Sequence, residues 1–196
     1  MGLVGRDEGR LMWILPDLRL CFLANPKTAS MATFQTLQTL GFEHHGDQHC
    51  VPASSGWKHW RDIDDTWTTF CTVRNHLDVF VSWYYYTSKT PKETKYFSWP
   101  FEKFLYTFVD EPKWFRDGKM YWERTPLCNR ILRYETLQRD LDDLLTVNFL
   151  PPTPLEVHNV SKARKGRDYH EFYTEKSIAF MEDRFGEEME LYGYRY

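Results

Sequence analysis

The stretch that most constrains this chain is Leu18–Ala32. Leu18 to Ala24 is almost wholly apolar and is bounded by Pro16-Asp17 and Asn25-Pro26, which predicts a short buried strand. Phe34, Leu37 and Leu40 then recur at three-residue intervals and Gly41 follows, so Ala29 to Leu40 reads as a helix with a glycine C-cap. Between strand and helix lies a tight turn, Asn25-Pro26-Lys27-Thr28-Ala29-Ser30. Such a turn aims the unpaired N–H groups and the positive dipole end of the helix at one spot. Lys27 adds a full positive charge there, and Thr28 and Ser30 add hydroxyls. The arrangement suits a phosphate or sulfate group; an ordinary strand–helix connection with a stray lysine is the other reading.

Two common anion motifs are absent. The turn is not G-x-x-x-x-G-K-[ST], the loop that cradles a magnesium nucleotide, nor G-x-G-x-x-G, the dinucleotide fingerprint. What stands in their place, Pro26-Lys27-Thr28-Ala29-Ser30 after a strand, resembles the 5′-phosphosulfate loop of the sulfotransferases, most closely the carbohydrate type. That resemblance implies 3′-phosphoadenosine-5′-phosphosulfate (PAPS) as sulfuryl donor and the desulfated bisphosphate (PAP) as product.

A second strand–turn–helix unit follows. Thr66 to Val73 is β-branched and aromatic, and Leu77, Phe80, Val81 and Tyr84 then repeat at helical spacing. Val73-Arg74-Asn75-His76-Leu77-Asp78-Val79-Phe80-Val81-Ser82 resembles the sulfotransferase 3′-phosphate motif, with Asn75-His76 where the family has aspartate-proline. The resemblance implies that Arg74 and Ser82 hold the 3′-phosphate. Asn129 to Tyr134 reads as a third core strand and Glu135 to Val147 as a helix with Leu137, Leu141, Leu144 and Leu145 on one face. Arg133-Tyr134-Glu135 resembles the family's strand end, which puts Tyr134 near the adenine. The basic run Asn159–Arg167, with Arg164-Lys165-Gly166 as its core, fits either a solvated charged loop or the loop that covers the 3′-phosphate. The family reading assigns Arg164, Lys165, Gly166 and Arg167 to the cofactor. Thr174 is placed to cap a final helix with Ile178, Met181 and Phe185 inward.

The fold expected is α/β: a three-layer, mostly parallel central sheet flanked by helices, built on the strand–phosphate loop–helix. The 196 residues, 42% hydrophobic and 27% charged, suffice for one domain over 1–196, with Met1–Pro16 as an N-terminal arm anchored at Leu11–Leu15. Glu43 to Gly56 reads as a polar loop. A net charge of −3 gives no basis for general nucleic-acid affinity. No apolar run reaches membrane-spanning length and the polar N-terminus lacks a signal peptide's apolar segment, so the reading is of a cytoplasmic protein. The four cysteines fit no zinc or redox spacing, and Cys21, Cys71 and Cys128 lie in or beside strands as reduced fillers.

The chemistry implied by the resemblance is in-line transfer of a sulfuryl group to an acceptor hydroxyl, on a carbohydrate. A sulfuryl group carries less negative charge than a phosphoryl group, so fixed cations and N–H donors replace a metal. Lys27 would neutralise the leaving 5′-phosphate, with the backbone from Pro26 through Thr28, Ala29, Ser30 and Met31 around it. Met31-Ala32 stand where the carbohydrate type continues with hydroxyl residues, and Thr33 is a partial substitute. A histidine suits the base at neutral pH. Of the seven, His49 lies in the polar loop between the first helix and second strand where the family places its base, with His45 and His59 behind it. Two other readings stay open: a kinase-like nucleotide enzyme, which the missing Gly-Lys-Ser/Thr opposes, and a PAPS- or PAP-binding protein without turnover.

Overall fold

A computed structural model describes residues 12–45, 63–88, 96, 98–110, 119–120, 125–156, 164 and 166–196. The chain divides into two compact units, one formed by Met1–Val73 with Glu123–His158, the other by Arg74–Trp122 with Asn159–Tyr196.

The first unit carries a five-stranded sheet. Its strands are β1 (Met12–Leu15), β2 (Leu20–Leu23), β3 (Glu43–His45), β4 (Thr68–Val73) and β5 (Arg130–Arg133), in the spatial order β3-β1-β2-β4-β5. β2, β4 and β5 run parallel, with Phe22 opposite Phe70 and Phe70 opposite Arg130. Parallel neighbours need a crossover rather than a hairpin, and helix α1 (Ser30–Thr39) lies in the connection from β2 to β4. The helix stops at Gly41, whose φ of 87° suits a residue without Cβ and lets the Phe42 N–H return to Leu37 O. The fold is α/β, a mixed sheet with a parallel core.

Two strands sit where the sequence shows none. Met12–Leu15, read as the anchor of an arm, pairs antiparallel with β2 through a 3₁₀ turn at Pro16–Leu18, and Arg19 closes that turn with a left-handed backbone (φ 52°). Glu43–His45, read as loop, pairs antiparallel with β1. A three-residue strand of a glutamate and two histidines has no apolar signal; its partner strand decides it.

Side-chain alternation splits the β2 residues between two faces. On one face Leu20 and Phe22 join Trp13, Phe70 and Leu132 beneath Leu37 of α1 and Leu137, Leu141, Leu144 and Leu145 of helix α4 (Leu137–Val147). The α4 residues fall at i, i+4, i+7 and i+8, the stripe that seats a helix on a sheet. On the other face Met12, Ile14, Cys21, Leu23 and Cys71 cluster with Ile63, Trp67, Leu127 and Cys128. Cys21, Cys71 and Cys128 are free thiols, and burial pushes the Cys21 thiol far above its ordinary range. Cys50 lies outside the described residues.

The second unit is helical: α2 (His76–Ser88), α3 (Phe101–Phe108), a 3₁₀ turn at Tyr169–Phe172, and α5 (Glu175–Leu191). Its core is built largely of aromatic rings. Phe104 stacks on Phe108 at 4.8 Å, and Phe80 meets Phe185 at 5.6 Å and Phe108 edge-on at 6.3 Å. Thr174 caps α5 as its position predicts, accepting the Ser177 N–H while the Ser177 hydroxyl accepts the Thr174 N–H.

Candidate functional site

β2 delivers the chain at Leu23 into a buried turn. Asn25, 1% exposed, is its anchor. The Asn25 amide donates to the Thr72 carbonyl at the end of β4 and to the Thr125 hydroxyl, each at 3.0 Å. Asn25 O in turn accepts the Thr28 hydroxyl at 2.9 Å. Thr28 is fully buried, so its hydroxyl braces the turn from within and only its backbone can serve an anion at the turn's mouth. Thr33 behaves likewise: it is buried and its hydroxyl donates to Ala29 O.

Lys27 and Ala29 both have φ of 63°, a left-handed conformation that costs a residue with a Cβ about 1 kcal/mol or more. Alternation of left-handed residues with their neighbours turns successive N–H groups toward one side, an anion-binding concavity. Ala29 is also the N-cap of α1 and supplies no side-chain cap, so the first N–H groups of the helix meet no capping oxygen there. Pro26, Lys27, Ala29, Ser30 and Met31 are half-buried around this turn.

The second unit gathers the residues expected at the 3′-phosphate. Arg74 directly follows β4, and Asn75 caps α2 by accepting the Leu77 N–H at 2.9 Å through its side-chain oxygen. An asparagine thus performs the capping available to the aspartate of the resembled motif. His76 stands at the first helical position with its ring fully buried, 2.7 Å from Glu188 of α5, which also accepts the Met120 N–H at 2.6 Å. That histidine is part of the core.

Arg74 forks onto a residue that sequence reading passed over. Its Nε and Nη2 donate to Oδ2 of Asp78 at 2.9 and 2.6 Å. Arg164 reaches the same carboxylate, its Nη1 donating to Oδ1 at 2.6 Å, while its Nε donates to Arg167 O at 2.7 Å. Arg74 and Asp78 are buried. The spacing Arg74–Asp78 is i to i+4, which is the signal that could have found the pair. Gly166 forms the turn between Arg164 and Arg167 with φ of 73°. Arg167 points elsewhere: it lies over the Phe172 ring at 4.2 Å and pairs with Glu171 at 3.0 Å, a bond that raises its pKa further.

Ser82 is half-buried on α2. Tyr134, 36% exposed, opens the 3₁₀ turn after β5. Asp140 holds that turn, accepting the Arg133 N–H at 3.0 Å and the Thr136 hydroxyl at 2.7 Å. Burial pushes the Asp140 carboxyl up, but these hydrogen bonds and Arg139 outweigh it and leave the pKa below the ordinary carboxylate value. His49, His59 and Lys165 lie outside the described residues, and for His45 only the backbone, in β3, is described.

Residues 66–146 match the family model of the sulfotransferase domain. That match supports a sulfotransferase. It takes in β4, the Arg74–Ser82 segment, β5 with Tyr134, and nearly all of α4. The sulfotransferase match includes neither the Lys27 turn nor the Arg164 segment, which stand on geometry alone. No curated protein and no solved structure matches the chain. Among the described residues no group of histidine, cysteine and carboxylate side chains is gathered to hold a metal, and no helix is long and apolar enough to cross a membrane.

Proposed function

We propose that this chain transfers a sulfuryl group from PAPS to an acceptor hydroxyl, on a carbohydrate, over a single domain that works in the cytoplasm. The observation that carries the reading is the convergence of Arg74 and Arg164 on one carboxylate, with Arg164 86 residues beyond Asp78 in the sequence. Two planar guanidiniums held together suit the three terminal oxygens of a phosphomonoester. The uncapped, left-handed turn at Lys27 suits an anion in its own right.

In this reading Arg74, Ser82 and the Arg164–Lys165–Gly166–Arg167 segment hold the 3′-phosphate, Arg167 through the carbonyl that braces Arg164 while its guanidinium stays with Glu171, and Tyr134 lies beside the adenine. Backbone N–H groups from Thr28 to Met31 hold the 5′-phosphate and sulfuryl oxygens, with Pro26 shaping the turn. His49 removes the acceptor proton. The acceptor oxygen forms its bond to sulfur as the bond from sulfur to the 5′-phosphate oxygen breaks, and Lys27 balances the charge left on PAP. No step calls for a metal, because the sulfuryl group brings little charge to neutralise.

One observation favours a second reading, a PAPS- or PAP-binding protein without turnover. The Thr28 and Thr33 hydroxyls both bond inward, and Met31-Ala32 add none, so hydroxyl donors toward the sulfuryl group are few. Incubation with sulfur-labelled PAPS and a panel of glycans and small hydroxyl acceptors separates the two. Label on an acceptor with matching PAP release is expected. PAP binding with no labelled acceptor would leave the second reading, and no binding of either nucleotide would end both.

A further inference from the structure

Asp78 lies in the middle of the arginine pair, and nothing in the transfer step uses it. Each of its oxygens is committed: Oδ2 to the Arg74 fork, Oδ1 to Arg164. Its side chain is 11% exposed, Arg74's 10% and Arg164's 19%, so the three charges sit largely out of water with a net charge of +1. A carboxylate inside a phosphate site is a cost in charge, and its geometry has to return something for it. What it returns is order. Arginine is rich in rotamers, and each such side chain immobilised on binding subtracts from affinity. Here both are immobilised beforehand. Arg74 is fixed by a buried fork to the first turn of the helix that follows it. Arg164 comes from a segment far along the chain and is fixed at two points, Asp78 and the Arg167 carbonyl.

We propose that Asp78 is the positioning residue of the 3′-phosphate site: it ties the Arg164 segment to the start of α2 and holds both guanidiniums in the spacing that a phosphomonoester needs. It thereby sets the preference for nucleotides with a 3′-phosphate over those without one. This deepens the PAPS reading and rests on it for the identity of the ligand, while the tie itself is independent of any nucleotide.

The test compares PAP with AMP, which lacks the 3′-phosphate, by equilibrium binding to the full chain. Wild type prefers PAP. Asp78→Asn keeps the side chain's shape and removes its charge, and the preference is expected to fall about tenfold, the equivalent of two arginines ordered at binding rather than before, with AMP affinity within about twofold. General damage to the fold would lower both affinities together and leave their ratio alone. Asp78→Glu restores part of the preference. Hydrogen exchange supplies the ligand-free readout: the Arg167 amide, bonded to Arg164 O, exchanges faster in Asp78→Asn and in Arg164→Ala. Should Asp78→Asn fail to fold, Asp78→Glu, which keeps the charge but displaces it by one methylene, is expected to lower the preference below wild type in its place.

An unchanged or increased preference for PAP in Asp78→Asn, or in Asp78→Glu where that variant takes its place, overturns the proposal, since the carboxylate would then be only a competitor of the phosphate. Unchanged exchange at Arg167 overturns the tie. A wild-type protein that binds PAP no better than AMP overturns the nucleotide reading instead, and exchange at Arg167 still decides whether Asp78 holds the segment.

Discussion

Asn25 donates its side-chain amide to the carbonyl of Thr72, joining the turn that follows β2 to the last residues of β4 at 3.0 Å. The same amide reaches Thr125, so one buried side chain fixes the Lys27 turn against two other segments of the sheet unit.

Replacing Asn25 by Ala therefore leaves the Thr72 carbonyl and the Thr125 hydroxyl short of a partner in a buried setting. Each such loss costs about 1–3 kcal/mol. Urea unfolding is expected to show a loss of that order, with weaker binding of any nucleotide that uses the turn. A variant of wild-type stability would remove Asn25 as the anchor.

Arg74→Ala is expected to weaken PAP binding by about 1.5–3 kcal/mol, the worth of a charge-assisted fork, and to leave AMP nearly untouched. Calorimetric titration with both ligands checks this, with a melting curve alongside because Asp78 loses a buried partner. Equal losses for the two nucleotides would take Arg74 out of the 3′-phosphate site.

His49→Ala should lower the transfer rate about 10²- to 10⁴-fold, the usual contribution of a positioned base, while PAP affinity stays close to wild type. An imidazole with a pKa of about 6.5 is mostly neutral at pH 7.5, so the wild-type rate should fall below about pH 6 as the base protonates. A kcat within a few-fold of wild type would pass the assignment to His45 or His59.

Transfer should survive EDTA, since Lys27 and backbone donors supply the charge stabilisation in this mechanism. Activity lost to the chelator and restored by magnesium would favour a kinase-like enzyme instead.

Acid should loosen the Tyr134 turn through Asp140. The folded-state pKa of this carboxyl lies below its ordinary value, so its contribution to stability is present in full above the unfolded carboxylate range. That contribution is lost as pH falls through the lower, folded value. Asp140→Asn should flatten this part of the stability–pH curve, measured by thermal unfolding between about pH 5 and pH 2. An unchanged curve would show that Asp140 carries none of the acid sensitivity.

The parallel part of the sheet was legible in the sequence because β2 and β4 are apolar or β-branched runs followed by helical spacing, and Leu137–Leu145 mark α4 as plainly. β1 and β3 were not, since neither carries a run long enough to stand apart from an arm or a loop. Their strand character comes from neighbours across the sheet. At the candidate site, the spacing of Arg74 from Arg164 gave no sign that one carboxylate joins them. Asp78 looked like an ordinary polar residue in the first turn of a helix, and Asn25 like the end of a strand before a proline. Side chains that work by holding others leave little trace in a linear pattern, whereas Lys27 and Arg74, which carry the charge themselves, stand out.

The turn from Ala24 to Ala32 contains no glycine, yet Lys27 and Ala29 take up the left-handed backbone that glycine adopts without strain. A glycine-rich anion loop can hold its shape through local freedom alone. This one has its shape imposed by tertiary bonds, so its competence is inherited from the sheet and should vanish with it in a single transition. Ala29→Gly would relax the local strain but enlarge the freedom of the unfolded chain, so two opposing effects of about 1 kcal/mol would nearly cancel in stability. The difference would surface in the stiffness of the turn: a protein equally hard to unfold, with a looser grip on anions.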